Sequence, residues 1–345
     1  MTCPQCATEL PPNLLVCPSC RALVHGAELK TLATHAEAET TAGRHTEALT
    51  HWRRALELLP RNSAQHTAIT EKINQIVLHL DKTGGAPAPT KSTLGNKGWG
   101  VGIIALLVSV LSKGKALLFG LTKASTLFSM LLSIGVYWNI FGWKLAVGLI
   151  ASIYVHEIGH IYLLHRYGIK ATAPMFIPGL GAMIRQKQYP ASPYEDARVG
   201  LAGPIWGLAA AGMFYVVHLA TGYQIYAAIA QWGALINLFN LVPVWQLDGS
   251  HAFRALSKLE RLGIAALCCL MAWITDQGFL WLIALVGGFR AFQKDAPQKG
   301  ELRILGEFAF LIVTLSLFTT IPVDLKRAEP ALAANISEGI YYAGR

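Results

Sequence analysis

Long apolar stretches without charged side chains fill most of the chain after Trp99, and they limit its possible folds more than any other feature. Because a bilayer core offers no water to pair with backbone groups, a stretch of about 20 apolar residues indicates a transmembrane helix. We therefore expect an all-α polytopic membrane protein with about six transmembrane helices. The predicted crossings are 124–140, 144–164, 199–220, 224–242 and 304–321, with a helical hairpin at 262–292.

Charge supports this interpretation and argues against a nucleic-acid partner. The chain has a formal charge of +9, but its Lys and Arg residues form short clusters between apolar segments, as residues that set membrane orientation do. Those clusters fall on one side of the predicted crossings, which the positive-inside rule makes cytoplasmic. The start of the sequence does not have the pattern of a secretory signal. The expected location is the cell membrane, multi-pass, with the N-terminal domain in the cytoplasm.

Two C-x-x-C motifs stand near the start of the chain, formed by Cys3, Cys6, Cys17 and Cys20. Each such turn can present two thiolates to one tetrahedral zinc ion. Four thiolates leave no open position for water, so this predicted zinc ribbon is structural. A pair of disulfides is the alternative, but it requires an oxidising compartment.

Residues 28–80 have helical periodicity and resemble one tetratricopeptide repeat followed by a further helix. The residues that carry the resemblance are Gly43, Ala48, Trp52, Ala55 and Pro60. Such a segment either binds a protein partner or is a plain helical spacer. A shorter apolar run at 101–111 is too short to cross about 30 Å of hydrocarbon and is expected to be interfacial or re-entrant.

These features divide the chain into five predicted regions. They are a zinc ribbon at 1–26, a tetratricopeptide-like helical domain at 27–81, a linker at 82–98, a membrane-embedded domain at 99–323 and a C-terminal tail at 324–345.

The second predicted crossing contains His156-Glu157-Ile158-Gly159-His160. Residues i and i+4 share a face of a helix, so both imidazoles can reach one metal ion, with Glu157 beside them. A zinc ion held by two His and one carboxylate can activate water, and a neighbouring Glu can take up the proton. Because ionisable residues inside a membrane are costly, this cluster indicates function; the alternative is a polar cluster that joins helices or a proton relay.

The third ligand must come from another part of the sequence, and three carboxylates at two places remain open on residue type alone. Glu195 and Asp196 precede a crossing, where acidic residues often cap helices. Asp248 follows the next crossing, whose helix Pro243 interrupts, so that its carboxylate can enter a shared cavity. His251, three residues after Asp248, can lie beside the ligands.

Over roughly residues 138–261 the sequence resembles the site-2 protease family of intramembrane zinc metalloproteases. The His156–His160 motif matches the family's HExxH, and Leu247-Asp248-Gly249 matches its LDG element. The resemblance implies that His156, His160 and Asp248 hold a catalytic zinc ion and that Glu157 is the catalytic base.

The same resemblance implies weaker assignments for substrate positioning. Ala202-Gly203-Pro204 resembles the family's glycine-proline element, and Asn240 matches an asparagine before the LDG element. Residues 169–188 are expected to form a short β-hairpin, which in the family offers a strand edge to the substrate, or a re-entrant plug. Trp245 and Gln246 stand where many members have Pro-Pro, which affects the expected shape of this loop.

The sequence therefore predicts a zinc metalloendopeptidase with one catalytic and one structural Zn²⁺. Its substrate would be another membrane protein, cut in regulated intramembrane proteolysis, and its surroundings would be the lipid bilayer. A protein partner for the N-terminal helical domain is also expected. The alternative is a non-proteolytic, zinc-binding membrane scaffold or adaptor.

Overall fold

A computed structural model describes residues 1–12, 14–83, 124–179 and 181–324. The predicted linker beyond residue 83, the apolar run at 101–111 and the predicted tail beyond residue 324 lie outside these ranges. The described chain is mostly helical, with one short hairpin of strands.

The elements follow the predicted order along the chain. The helices are α1 (Gly26–Thr41), α2 (His45–Glu57), α3 (Ala64–Lys82), α4 (Ala124–Phe141), α5 (Trp143–Arg166), α6 (Pro193–Thr221), α7 (Gln224–Asn240), α8 (Asp248–Phe253), α9 (Lys258–Thr275), α10 (Phe279–Ala291) and α11 (Leu302–Phe318); the strands are β1 (Met175–Ile177) and β2 (Gly181–Met183).

The chain forms two compact units. Unit 1 contains residues 1–97 together with 164–170 and 187–195, and unit 2 contains residues 98–163, 171–186 and 196–345. The end of α5 and the segment that enters α6 therefore belong to the unit built mainly from the N-terminal region.

The N-terminal part of unit 1 begins with two turns of the same design. The backbone N–H of Cys3 donates to the carbonyl of Thr8, and that of Cys17 donates to the carbonyl of Ala22, each at 2.9 Å. Helices α1 and α2 follow, joined through Gly43, whose φ of +74° a side chain would strain. Ala48, Trp52 and Ala55 on α2 are buried, as the apolar face of such a helix pair requires. Its assignment as a tetratricopeptide-like segment stays a prediction.

Three described helices, which lie wholly or mostly in unit 2, are long and apolar enough to cross a bilayer. They are α4, α5 and α6. Helices α7 and α11 have 17 residues each, or about 26 Å at the usual rise per residue, and α10 is shorter. The expected count of six crossings thus stays a prediction. Large apolar side chains such as Phe128, Trp273 and Leu285 are exposed on unit 2, as lipid-facing residues are.

Helix α6 begins at Pro193, earlier than the predicted crossing at 199. Hydropathy places the boundary where the charges begin, but local capping extends the helix. The side chain of Ser192 accepts a hydrogen bond from the backbone N–H of Glu195 at 3.2 Å. Proline is favoured at the first helical position, and Glu195 and Asp196 lie near the positive end of the helix dipole.

The predicted β-hairpin between α5 and α6 is present. Strands β1 and β2 are antiparallel, with Met175 opposite Met183. Helix α4 holds β1 in place, because Thr126 donates to the carbonyl of Pro174 at 2.8 Å and Ser129 accepts from the N–H of Phe176 at 3.1 Å. The side chain of Phe176 is buried in an apolar cluster with residues of α5.

Candidate metal centre

The two histidines of α5 lie side by side on one face of the helix. Their Nε2 atoms are 3.1 Å apart. Asp248 reaches both of them, with carboxylate oxygens 3.2 Å from His156 Nε2 and 3.3 Å from His160 Nε2. Four ligands around zinc at about 2.0–2.1 Å stand about 3.3 Å apart, so this triangle of two nitrogens and one carboxylate fits three ligands of one zinc ion.

Hydrogen bonds on the far side of each ring orient the two imidazoles. His156 Nδ1 lies 2.8 Å from Asn237 Oδ1, and His160 Nδ1 lies 2.8 Å from the carbonyl oxygen of Val199. Since Asn237 uses its amide N–H to bond the carbonyl of Gly233 at 2.7 Å, its oxygen faces the ring and accepts the Nδ1 proton. Both Nε2 lone pairs are thereby left for a metal ion.

The described structure separates the three carboxylates that the sequence left as candidates for the third ligand. Asp248 is the first residue of α8 and lies at the histidines. Asp196 instead bonds His251 Nδ1 and Arg254, both at 2.8 Å. In unit 1, Glu195 pairs with Arg53. His251 therefore contacts Asp196, one helical turn after Asp248. We call the group formed by His156, His160 and Asp248 the ligand triangle.

Glu157 lies between the two histidines in sequence and is 5% exposed. It borders a cavity of about 170 Å³ whose wall includes residues of α4, α5, the β-hairpin and α7. His156, Gly181, Asn237 and Asn240 contribute to the same wall. The arrangement can therefore place a small molecule or an extended chain next to both a carboxylate and the ligand triangle.

Gly203 on α6 faces the two histidines directly. A Cβ atom there would lie 2.2 Å from His160 Nε2 and 2.6 Å from His156 Nε2, so only glycine leaves room for the rings. Pro204 follows within the same helix and is buried. Asn240 Nδ2 lies 3.4 Å from His156 Nε2, at the end of α7. The structure thus brings Gly203 and Asn240 to the ligand triangle, and places Pro204 beside Gly203 in the chain.

Two contributors were missed by reading the sequence. Asn237 had a usable signal, because it is an amide in a mostly apolar crossing and lies one turn before Asn240. It also requires Gly207, where a Cβ would lie 1.9 Å from Asn237 Oδ1. Val199 had no signal, since it acts through its backbone carbonyl.

The four N-terminal cysteines form a second cluster of metal-binding groups. Cys3 Sγ lies 3.6 Å from Cys20 Sγ, and Cys6 Sγ lies 3.6 Å from Cys17 Sγ. These distances exclude disulfides and are close to the spacing of about 3.8 Å that four zinc–sulfur bonds of about 2.3 Å require. Hydrogen bonds from Thr8 lower the pKa of Cys6 to about 6, which favours the thiolate that a metal needs.

Comparison with known proteins supports this picture of the membrane part. Residues 144–231 match the family model described as "Peptidase family M50". A zinc metalloprotease of Methanocaldococcus jannaschii is 27% identical over 124 residues, which cover 34% of this chain and 35% of that protein. The protein "Probable zinc metalloprotease EGY2, chloroplastic" of Arabidopsis thaliana is 26% identical over 222 residues, which cover 49% of this chain and 39% of the relative.

The chain spans less than half the length of these curated relatives. No solved structure shows significant similarity to it. The family match begins near the start of α5, the helix with the HExxH motif, and continues through the β-hairpin and α6 into α7. The resemblance to the site-2 protease family is confirmed: residues 144–231 form a Peptidase M50 domain, and the chain is homologous to zinc metalloproteases.

Proposed function

We propose that this chain is an intramembrane zinc metalloprotease that hydrolyses peptide bonds of membrane-spanning substrates. The observation that carries the proposal is the triangle of His156, His160 and Asp248, which adjoins Glu157 and a cavity among apolar helices. A purely structural site would have no need of a buried carboxylate on the cavity side.

The ligands proposed for the catalytic zinc are His156, His160 and Asp248. When bound there, zinc supplies a Lewis acid that polarises a carbonyl group and makes water easier to deprotonate. Glu157 accepts that proton during attack on the peptide carbonyl and then delivers it to the departing amine. Asn237 and the Val199 carbonyl keep both rings in the tautomer that presents Nε2.

Substrate positioning falls to the groups around the cavity. A transmembrane helix hides its peptide bonds, so the substrate must unwind and find new hydrogen-bond partners before hydrolysis. The β-hairpin borders the cavity, and among the described residues its sheet consists of β1 and β2. Since α4 bonds to β1, the outer edge of β2 is the edge that can pair with an extended segment. Asn240 lies beside His156 and can donate its amide to the substrate backbone. Gly203 and Pro204 shape α6, the helix that faces the two histidines of α5.

The remaining proposals concern the rest of the protein. The four cysteines hold one structural zinc ion, in addition to the catalytic one. The chain lies in the cell membrane with its N-terminal domain in the cytoplasm. The helical part of unit 1 binds a protein partner that regulates cleavage or presents the substrate, as regulated intramembrane proteolysis requires.

The deciding experiment is cleavage of single-pass membrane proteins in liposomes by the unaltered chain and by Glu157→Gln. The substitution keeps the proposed zinc ligands but removes the base, so product formation should fall by about 10²–10⁴-fold. Glu301→Gln is the matched control, because this exposed side chain forms no cap hydrogen bond at the start of α11. Equal cleavage by the wild type and Glu157→Gln would refute the role of Glu157, and no cleavage of a broad panel would favour a scaffold.

A further inference from the structure

Unit 1 contains the two chain segments that lead directly into the ligand triangle. Its segment 164–170 begins four residues after His160, and its segment 187–195 ends four residues before Val199. His160 and Val199 are joined by the hydrogen bond that aims the His160 ring. Helices α5 and α6 are thus held in unit 1 about one helical turn from the two residues whose alignment the metal centre needs.

Arg53 on α2 contacts both segments with one guanidinium group. Its Nε donates to the backbone carbonyl of Tyr167 at 2.9 Å, and a terminal amino group pairs with Glu195. The side chains of Arg53 and Glu195 are 3% and 0% exposed. A buried ion pair costs much desolvation, and removal of one partner leaves the other charge uncompensated, so packing that keeps the two groups together is strongly favoured over packing that separates them.

Asp81 on α3 repeats the arrangement with a charge of the opposite sign. Its carboxylate accepts hydrogen bonds from the hydroxyl of Tyr167 at 2.9 Å and from the hydroxyl of Tyr194 at 2.8 Å. Tyr167 belongs to the first segment and Tyr194 to the second. Two helices of the N-terminal region therefore each join the end of α5 to the start of α6.

Further contacts, all within unit 1, bring the backbone of the first segment close to the backbones of α2 and α3. The Arg166 side chain donates to the carbonyl of Leu80, and Thr46 Oγ1 donates to the carbonyl of Arg166 at 3.2 Å. Gly168 has a φ of +67°, and a Cβ there would come within 3.0 Å of the carbonyl oxygen of Thr46. The chain leaves α5 in a conformation and at a distance that only glycine accommodates without strain.

We propose that Arg53 and Asp81 are positioning residues for the metal centre. With Tyr167, Tyr194 and Glu195 they form a polar clamp that sets the register of α5 against α6, and so the alignment of His160 with the Val199 carbonyl. The N-terminal helices then do more than present a binding surface, because their docking determines how well the membrane domain holds zinc. The catalytic part of this inference rests on the proposed protease function, whereas its metal-binding part does not.

The test replaces zinc with Co²⁺ in the full chain and follows the two metal sites separately. Cobalt bound to thiolates has an intense sulfur-to-metal charge-transfer band, which cobalt bound by imidazole and carboxylate lacks. The band therefore reports the four cysteines, and the remaining cobalt absorption reports His156, His160 and Asp248. Binding at each site is titrated in detergent, and cleavage is measured in liposomes.

The variants are Arg53→Met, the double variant Tyr167→Phe with Tyr194→Phe, and the control Arg54→Met. Arg54 neighbours Arg53 on α2, but is about half exposed, and its ion pairs among the described residues are with acidic residues of α1 and α2. We expect Arg53→Met to weaken cobalt binding at the His₂Asp site by about tenfold, the lower end of the effect of losing a partner that orients a ligand. Cleavage should fall by about ten- to a hundredfold, as for a small displacement of reacting groups.

The double tyrosine variant removes two hydroxyl groups with little change in shape, and should shift both readouts in the same direction by a smaller factor. If Arg53→Met loses the thiolate band, its unit 1 is unfolded, and the double tyrosine variant then tests the proposal. The proposal is overturned if the double variant keeps the thiolate band, the His₂Asp affinity and the cleavage rate of the wild type, or if Arg54→Met has the same effect as Arg53→Met.

The two proposals can fail independently. If the wild type cleaves nothing but the clamp variants weaken cobalt binding at the His₂Asp site, the positioning role stands and the protease function is wrong. If the wild type cleaves its substrate and the clamp variants change neither readout, the protease function stands and the clamp is wrong.

Discussion

The two candidate metal-binding clusters of this chain are built in opposite ways. The cysteine cluster lies within residues 3–20, and two similar turns supply all its ligands. The His₂Asp cluster draws its ligands from α5 and α8, and residues of α6 and α7 orient its rings. Four thiolates complete a tetrahedral site, while two histidines and one aspartate leave a position open towards a cavity.

This difference shows how the sequence separation of the ligands relates to what each cluster can do. A cluster formed by local turns can fold its own segment on binding a metal, and it needs nothing else. A cluster formed by distant helices depends on their packing, but in return it can place a carboxylate such as Glu157 and a cavity beside the metal. The following predictions test whether the two clusters are as independent as this comparison suggests.

The largest effect is expected from removing one ligand of each cluster in turn. Asp248→Asn removes the carboxylate of the His₂Asp cluster. Cobalt affinity at that cluster should therefore fall at least about a hundredfold, and cleavage should be lost. The thiolate band should remain. Cys17→Ser should weaken that band, and the affinity of the cysteine cluster for cobalt, while cobalt still binds at the His₂Asp site. Loss of both sites in either variant would contradict their independence, and titration with Co²⁺ measures each one.

A smaller but still large effect is expected at Gly203. Gly203→Ala introduces a Cβ at 2.2 Å from His160 Nε2, so the ring or helix α6 must move. Displacement by about 1 Å can cost about a hundredfold in rate, and we expect kcat to fall by that factor with the thiolate band unchanged. Gly212→Ala on the same helix is the control, because its Cβ would meet nothing within 4 Å. Similar cleavage rates for both variants would contradict the packing argument.

The smallest effect concerns how the stability of unit 1, which contains the cysteine cluster, depends on pH. Burial, together with the neighbouring His79 imidazole, lowers the pKa of His45 below its ordinary value. The unfolded state therefore takes up this proton first, and the free energy of unfolding should fall as pH drops below about 6.5, until the folded state is protonated too. Above that pH His45 is neutral in both states and has no effect.

Thermal unfolding at neutral and mildly acidic pH measures this dependence. His45→Gln should reduce it, whereas His35→Gln on the exposed surface of α1 should leave it in place. An unchanged pH dependence in His45→Gln would show that the cysteine thiolates, which also compete with protons for their metal, account for all of it.

Much of the candidate site could be predicted because residue spacing determines which side chains share a helical face or a turn. Four residues from His156 to His160 place two rings on one helical face whatever surrounds them, and two C-x-x-C turns act locally in the same way. The third ligand could not be chosen from residue type alone. Asp196 and Asp248 are both carboxylates next to predicted crossings, and only packing assigns the first to His251 and the second to the histidines.

The boundaries and supports of the helices were harder to predict for a related reason. Hydropathy locates an apolar stretch, but Ser192 and Pro193 start α6 earlier through local hydrogen bonding and backbone geometry. The carbonyl of Val199 carries no information in its side chain. Arg53 and Asp81 resemble ordinary surface charges of amphipathic helices until their buried partners are known.

By itself, the sequence predicted the membrane character of the chain and the two sets of candidate metal ligands, because hydrophobic burial and residue spacing act over a few residues, while it left a short hairpin and a re-entrant loop both open at 169–188. Tertiary structure alone decided which aspartate meets the histidines, which glycine makes room for them, and that Arg53 and Asp81 join the end of α5 to the start of α6. The physical reason is that a side chain's role depends on the groups packed against it, and those groups come from parts of the chain that are distant in sequence.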